Sequence, residues 1–72
     1  MKHLINTHRR NQVMVENVSF QSLPVMDGSG TSYWLDPHDS ISVLRRDINT
    51  HLKELERRQL IKIQPLVEKI NA

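Results

Sequence analysis

The chain has no cysteine, only two glycines and only three aromatic residues among 72 residues. Without cysteine it can form no disulfide, and it can offer no thiolate to zinc or to an iron–sulfur cluster. No apolar run approaches ~20 residues, the length of a membrane-spanning helix, and the N-terminal residues lack the apolar segment of a signal peptide. We therefore expect one small domain, intracellular and cytoplasmic, with no membrane segment.

The apolar share of the sequence is also low, at 38% of residues. A chain of this length buries only about 60% of the surface that its unfolded form exposes, and small domains often compensate by associating. We expect either a homodimer or a complex with a protein partner.

The net charge of +2 is unevenly distributed. Residues 1–12 carry three basic side chains and no acidic one, residues 13–35 carry two acidic and no basic ones, and residues 36–72 carry seven basic and six acidic ones. A basic N-terminal arm (1–11) therefore includes Arg9 and Arg10. Such an arm is either a solvated terminus or a flexible segment that contacts phosphates.

The residues before position 36 predict a small antiparallel sheet, because β-branched side chains are frequent there. The turn signal Asp27-Gly28-Ser29-Gly30 predicts a β-hairpin within about 12–35, with arms at about 18–26 and 31–35. Val13 and Val15 alternate on one face, whereas the apolar residues after Asn17 have the opposite parity. A bulge or bend near Asn17 would resolve this conflict.

The following residues predict one long amphipathic helix over about 37–59. Asp36 is a suitable N-cap, Pro37 suits the first helical position, and no glycine or proline interrupts the sequence before Pro65. After the helix, alternation around Ile61 and Ile63 suits a third short strand at 60–64. The expected fold class is α+β, with a small antiparallel sheet packed on one long helix.

Two sets of residues on and before this helix suggest an interface with a protein. Apolar side chains within an arc of about 80° on the helical wheel form either a core stripe or a dimer seam. Tyr33 and Trp34 should point to opposite faces of their strand, so that one ring packs on the helix and the other can meet a partner. The predicted protein interface comprises Tyr33, Trp34, Ile41, Leu44, Ile48, Leu52 and Leu55.

The opposite side of the helical wheel suggests contact with nucleic acid. Its basic and amide side chains are of the types that bind phosphates and base edges when a helix enters the major groove. The alternative is a solvated face with a Glu54–Arg58 pair one helical turn apart. The predicted contact residues are Arg46, Asn49, Thr50, Lys53, Arg57 and Lys62, with Arg9 and Arg10 from the arm.

Residues 48–63 read INTHLKELERRQLIKI and resemble the recognition helix and first wing strand of winged helix-turn-helix proteins. The resemblance implies DNA contacts by the outward polar residues of the helix and by basic wing residues such as Lys62. Gln59 stands where this family usually has a glycine, and residues 41–47 show no break where the family has its turn.

The sequence offers no set of residues for catalysis. No nucleophile, base and orienting group converge in the pattern, and Asp47 with His51 gives two metal ligands where zinc needs three or four. We expect no enzyme activity, metal, cofactor or small-molecule substrate. The leading hypothesis is a small regulator of transcription that binds DNA. The alternative is a protein-binding inhibitor, adaptor or assembly subunit.

Overall fold

Five short strands and one α-helix make up residues 11–66, the part of the chain that the computed structural model describes. The predicted basic arm, except Asn11, lies outside these residues. The strands are β1 (Gln12–Asn17), β2 (Leu23–Met26), β3 (Ser32–Leu35), β4 (Ser40–Leu44) and β5 (Ile61–Pro65). The helix is α1 (Thr50–Arg57), and a 3-10 turn at Arg45–Asp47 precedes it. The fold is thus α+β, as the sequence predicts.

The strands form two antiparallel sheets. In the three-stranded sheet β1 is central, with β4 on one side and β5 on the other. Val15 lies opposite Ile41 of β4 and opposite Ile63 of β5. The second sheet is the β2–β3 hairpin, in which Leu23 lies opposite Leu35 and Val25 opposite Tyr33.

Every strand and the helix contribute to the hydrophobic core. Along β1, buried and half-buried residues alternate, as expected for a strand with one face on the core. The helix contributes Leu52, which is 1% exposed. The buried apolar residues are Val13, Val15, Leu23, Val25, Leu35, Val43, Leu52 and Ile61.

The predicted hairpin is confirmed, although it is shorter than expected. Its strands cover 23–26 and 32–35, and Asp27–Gly30 lies at the turn. Gly28 has a second role, because its N–H donates to the carbonyl of Asp47 at 2.7 Å. A Cβ atom at Gly28 would lie 3.1 Å from that oxygen, so the turn approaches the 3-10 turn closely. The strand β1 is not part of the hairpin, since it pairs with β4 and β5.

The prediction of one helix over about 37–59 is wrong for residues 37–49. Residues 40–44 form strand β4 instead, and the helix has eight residues. Ser40, Ser42 and Leu44 alternate with Ile41 and Val43, a period of two that fits a strand as well as the apolar spacing fits a helix. Pairing with β1 decides between them, because it buries Val43 to 4% exposure.

The predicted helix start at Asp36 and Pro37 is a β-turn. The N–H of Asp39 donates to the carbonyl of Asp36 at 2.9 Å, and a carboxylate oxygen of Asp39 accepts from the N–H of Asp36 at 3.0 Å. Pro37 occupies the second turn position and His38, with φ 74°, the third. This is the arrangement of a type II turn, in which proline is common at the second position and positive φ is required at the third.

The helix ends in a Schellman motif at Gln59. The N–H of Gln59 donates to the carbonyl of Glu56 at 2.8 Å, and that of Leu60 to the carbonyl of Leu55 at 3.0 Å. Gln59 has φ 65°, the left-handed conformation that this motif requires and that glycine adopts without a steric penalty. Two residues after Gln59 the strand β5 begins. It confirms the predicted third strand, with bounds shifted by one residue from 60–64 to 61–65.

Replacing Gln59 by glycine should therefore stabilise the protein. We expect Gln59→Gly to raise the free energy of unfolding by about 0.5–1 kcal/mol, because glycine relieves the positive φ. Urea unfolding followed by circular dichroism measures the change. The matched control Gln12→Gly, in the extended strand β1, should lower the stability. A loss of stability for Gln59→Gly would contradict the account.

The strand β1 ends at Asn17, whose side chain is fully buried. Its Nδ2 donates to the carbonyls of Gln21 at 2.8 Å and Leu35 at 2.9 Å. Its Oδ1 accepts from the N–H and the hydroxyl of Ser19 at 2.8 and 2.7 Å. The parity conflict is thus resolved by the end of the strand rather than by a bulge, since Val18 begins a turn held by Asn17.

Replacing Asn17 by alanine should destabilise the fold strongly. Asn17→Ala removes two donated and two accepted hydrogen bonds at a buried position, so we expect a loss of about 2–3 kcal/mol in the free energy of unfolding. Ser19→Ala removes only the hydroxyl hydrogen bonds at the same turn and should cost about 1 kcal/mol. Urea unfolding of both variants tests this order, and an Asn17→Ala loss no larger than that of Ser19→Ala would refute it.

Candidate functional site

The residues of the predicted nucleic-acid surface lie on three different elements. Arg46 belongs to the 3-10 turn, Lys62 belongs to β5, and Thr50, Lys53 and Arg57 belong to α1. Asn49 precedes α1, and Arg9 and Arg10 lie outside the described residues. The continuous helical stripe expected from the sequence is therefore not present, because residues 40–44 are a strand.

Asn49 is occupied by structural contacts. Its Oδ1 accepts from the N–H of Leu52 at 2.9 Å, so Asn49 is the N-cap of α1. Its Nδ2 donates to the carbonyl of Met26 at 3.0 Å. One side chain thus fixes the start of the helix and attaches it to strand β2.

Arg57 is paired with an acidic residue of its own helix. Its Nη2 lies 2.6 Å from Glu54 Oε2 and its Nε 3.0 Å from Glu54 Oε1, while Arg58 Nε lies 3.2 Å from Oε2. The Arg57 guanidinium, with a smaller contribution from Arg58, lowers the pKa of Glu54, and Glu54 in turn raises the pKa of Arg57. The pairs are exposed, so they contribute little to stability.

Within residues 11–66, the other predicted cations have no acidic partner. Arg46, Lys53 and Lys62 are exposed, and none of them forms a salt bridge with another residue in 11–66. Thr50, the first residue of α1, is exposed as well. These side chains are available to solvent or to a ligand.

The hairpin turn is stabilised from within by Asp27, which is 6% exposed. Its Oδ1 accepts from the hydroxyl and N–H of Ser29 at 2.6 and 2.9 Å and from the N–H of Thr31 at 3.2 Å. Its Oδ2 accepts from the hydroxyl of Tyr33 at 3.2 Å. The Ser29 hydroxyl is the main cause of a lowered pKa for Asp27, whereas burial and then Asp27 raise the pKa of Tyr33. Tyr33 is therefore part of the structural framework.

The outer face of the hairpin is apolar and open to solvent. Leu23, Val25 and Leu35 point into the core, so the alternate residues point away from it. Trp34 is 66% exposed and Met26 48% exposed. Trp34 lies directly opposite Pro24, and Met26 lies opposite Ser32. We call these four residues the outer hairpin face: Pro24, Met26, Ser32 and Trp34.

A second exposed apolar group precedes the hairpin. Phe20 is 99% exposed and Val18 is 41% exposed. Both lie in the turn that Asn17 and Ser19 hold, and the hydroxyl of Ser22 donates to the carboxylate of Asp36 at 2.7 Å. The segment that carries Phe20 is thus hydrogen-bonded to Asp36, the residue that follows β3.

The residues of the predicted protein interface fall into two groups. Leu52 is buried in the core, and Tyr33, Ile41, Ile48 and Leu55 pack partly buried against it. Leu44 is half-buried at the end of β4. Of the seven predicted residues, Trp34 alone is mainly exposed.

Sequence reasoning did not single out Pro24, Met26 or Phe20. The alternation in Leu23-Pro24-Val25-Met26 does contain the signal, because a strand with Leu23 and Val25 inward must place Pro24 and Met26 outward. Phe20 gave no such signal, since its exposure follows from a turn that Asn17 creates.

Residues 11–66 contain neither a cluster of metal ligands nor a membrane-spanning helix. No group of three or more histidine, aspartate or glutamate side chains there is placed to hold a metal ion. No helix of this part of the chain is long and apolar enough to cross a membrane. Comparisons with protein-family models, curated proteins and solved structures find no match to the chain.

Proposed function

We propose that this chain is a non-enzymatic protein-binding module, acting as an adaptor or assembly subunit, and that the outer hairpin face is its docking surface. The observation that carries the proposal is the 66% exposure of Trp34 beside Pro24 and Met26. Single exposed apolar residues are ordinary on protein surfaces, whereas adjacent ones often belong to an interaction site.

The composition of this face is that of an interface centre. Tryptophan and methionine are enriched in the buried centres of protein interfaces, and tryptophan is prominent among the residues that dominate binding energy. Burying one large apolar side chain contributes about 1.5–3 kcal/mol. Trp34 contributes little of this free energy to the stability of its own fold. Its ring is mostly exposed, because Tyr33 and Leu35 on either side of it face the core.

The absence of charge on the outer hairpin face indicates the chemistry of the partner. Its residues Pro24, Met26, Ser32 and Trp34 are all uncharged, so the face offers no cation to a phosphate group. The partner should be a protein that offers an apolar pocket to the indole ring and a hydrogen-bond acceptor to its N–H.

Replacing Trp34 should abolish partner binding while leaving the fold intact. The full-length protein, Trp34→Ala and the control Thr50→Ala would be immobilised and exposed to extracts of cells that express the protein. Proteins that bind to the unmodified chain and to Thr50→Ala should not bind to Trp34→Ala. With a purified partner, Kd should rise about 30-fold or more. Equal retention by Trp34→Ala would refute the outer hairpin face as the docking surface.

Binding to DNA is the second candidate, and it rests on the unpaired cations Arg46, Lys53 and Lys62. Residues 50–57 and 61–65 form a helix followed by a strand, the order that the winged helix-turn-helix resemblance implies. In residues 11–66, however, the element before this helix is a 3-10 turn that follows strand β4. The same residues carry seven acidic and six basic side chains, so the basic excess of the chain lies elsewhere.

Fluorescence anisotropy on a random-sequence DNA duplex separates the two candidates. The protein-binding proposal predicts no binding at about 50 mM salt. Micromolar binding with a log–log salt slope of about −3 or beyond would instead indicate at least three phosphate contacts. If Arg46→Glu with Lys53→Glu then removed this binding and Trp34→Ala did not, DNA binding through the basic residues would replace the proposal.

A further inference from the structure

The two edges of the three-stranded sheet differ in how their main-chain groups are used. In an antiparallel sheet, alternate residues of an edge strand direct their N–H and C=O groups toward the neighbouring strand and away from it. The hydrogen bonds from Asn17 N to Asp39 O (2.9 Å) and from Arg45 N to Asn11 O (2.6 Å) show which residues of β4 face β1. The main-chain N–H and C=O groups of Ser40, Ser42 and Leu44 therefore point away from β1, toward the open edge of the sheet.

The edge formed by β5 is partly occupied. The bond from Val18 N to Leu60 O (3.0 Å) shows that Ile61, Ile63 and Pro65 direct their main-chain groups outward. The outward N–H of Ile63 donates to a carboxylate oxygen of Glu56 at 3.3 Å, and Pro65 has no N–H. Helix α1 and a proline thus remove two of the three outward N–H positions through which another strand could pair.

The hairpin edges offer less to a further strand. On β2, Pro24 has no N–H, and the carbonyl of Met26 accepts from Asn49 at 3.0 Å. On β3, only Ser32 and Trp34 direct main-chain groups outward, because the other two residues of this four-residue strand pair with β2.

The edge formed by β4 is open and undefended. In the part of the chain that the structure describes, the main-chain groups of Ser40 and Ser42 and the N–H of Leu44 have no hydrogen-bond partner, whereas the carbonyl of Leu44 caps the 3-10 turn. Proteins usually protect such an edge with lysine, proline or a bulge. The strand β4 contains none of these, has no charged residue, and includes the β-branched Ile41 and Val43.

We propose that β4 pairs with β4 of a second copy of this chain, antiparallel and across a two-fold axis at Ser42. Ser42 of one copy then lies opposite Ser42 of the other, and Ser40 lies opposite Leu44. In this register every outward N–H and C=O group of the strand meets a partner. The pairing joins two three-stranded sheets into one, and both copies use the same surface.

The side chains around β4 favour a second copy over an unrelated strand. On the core-facing side the register places Ile41, which is half-buried, opposite Val43 of the other copy, and β-branched pairs stabilise a sheet. By this pairing a chain of 72 residues also gains buried surface that it lacks alone.

A charge-swap experiment at Ser42 tests this pairing with the full-length chain. Sedimentation equilibrium should show a dimer of twice 8.4 kDa. Ser42→Lys and Ser42→Glu should each weaken the dimer roughly fivefold or more, because identical charges then lie directly opposite each other. An equimolar mixture of the two variants should restore dimers containing one copy of each, which misfolded variants could not do. Thr50→Lys and Thr50→Glu, on the exposed start of α1, are the matched controls and should leave the dimer unchanged.

Three results would overturn the proposal. The unmodified chain could be monomeric at ~1 mM, the Ser42 variants could dimerise as well as the unmodified chain, or their mixture could fail to recover dimers. A dimer that Trp34→Ala dissociates and the Ser42 variants do not would place the second copy on the outer hairpin face. The pairing does not depend on the proposed partner binding, since Trp34 and Ser42 are separate positions that can be varied independently.

Discussion

The buried side chain of Asn17 is the constraint on which the rest of the structure depends. Its four hydrogen bonds connect the end of β1 to the turn at Ser19–Gln21 and to the end of β3 at Leu35. Its main-chain N–H donates to Asp39 and its carbonyl accepts from His38, both at 2.9 Å, which ties in the turn before β4. A buried amide with every partner present stabilises one arrangement, and the same amide with a partner missing costs free energy. Asn17 thus fixes where the chain leaves the three-stranded sheet for the hairpin and where it returns.

This arrangement determines which surfaces remain available. The hairpin is held by its inner residues and by Asp27, so its outer face is free to carry Pro24, Met26 and Trp34. Glu56 of helix α1 accepts from the N–H of Ile63, and the N-cap Asn49 donates to the carbonyl of Met26, so each contact occupies one outward main-chain group of a strand edge. Within residues 11–66, the outer hairpin face is uncharged and exposed, and β4 is the longest strand edge without protecting contacts. The outer hairpin face suits contact with a protein through its side chains, and the β4 edge suits contact through its main-chain groups.

The sequence predicts the local features well and the long-range ones poorly. The hairpin, the strand after residue 60 and the helix around Leu52 follow from turn residues and from apolar spacing. The sequence favours a helix over residues 37–49 because Asp36 and Pro37 are suited both to a helix start and to a turn, and Ile41 and Leu44 fit both periods. Only pairing with β1, more than twenty residues earlier, selects the strand. The candidate site follows this division. Alternation predicts that one of Tyr33 and Trp34 is exposed without selecting which, whereas the open edge of β4 cannot be predicted from a pattern that favours a helix there.

Our central claim is that contacts and prolines obstruct the edges of β2 and β5, whereas the edge of β4 is available for pairing with a second copy. Amide hydrogen exchange, measured residue by residue by NMR on the full-length chain, tests it most directly. In dilute solution the amides of Ser40, Ser42 and Leu44 should exchange rapidly, while that of Ile63, bonded to Glu56, should be protected. At high protein concentration the three β4 amides should become protected and Ile63 should change little. Protection of Ser42 in dilute solution, or rapid exchange at both concentrations, would contradict the account.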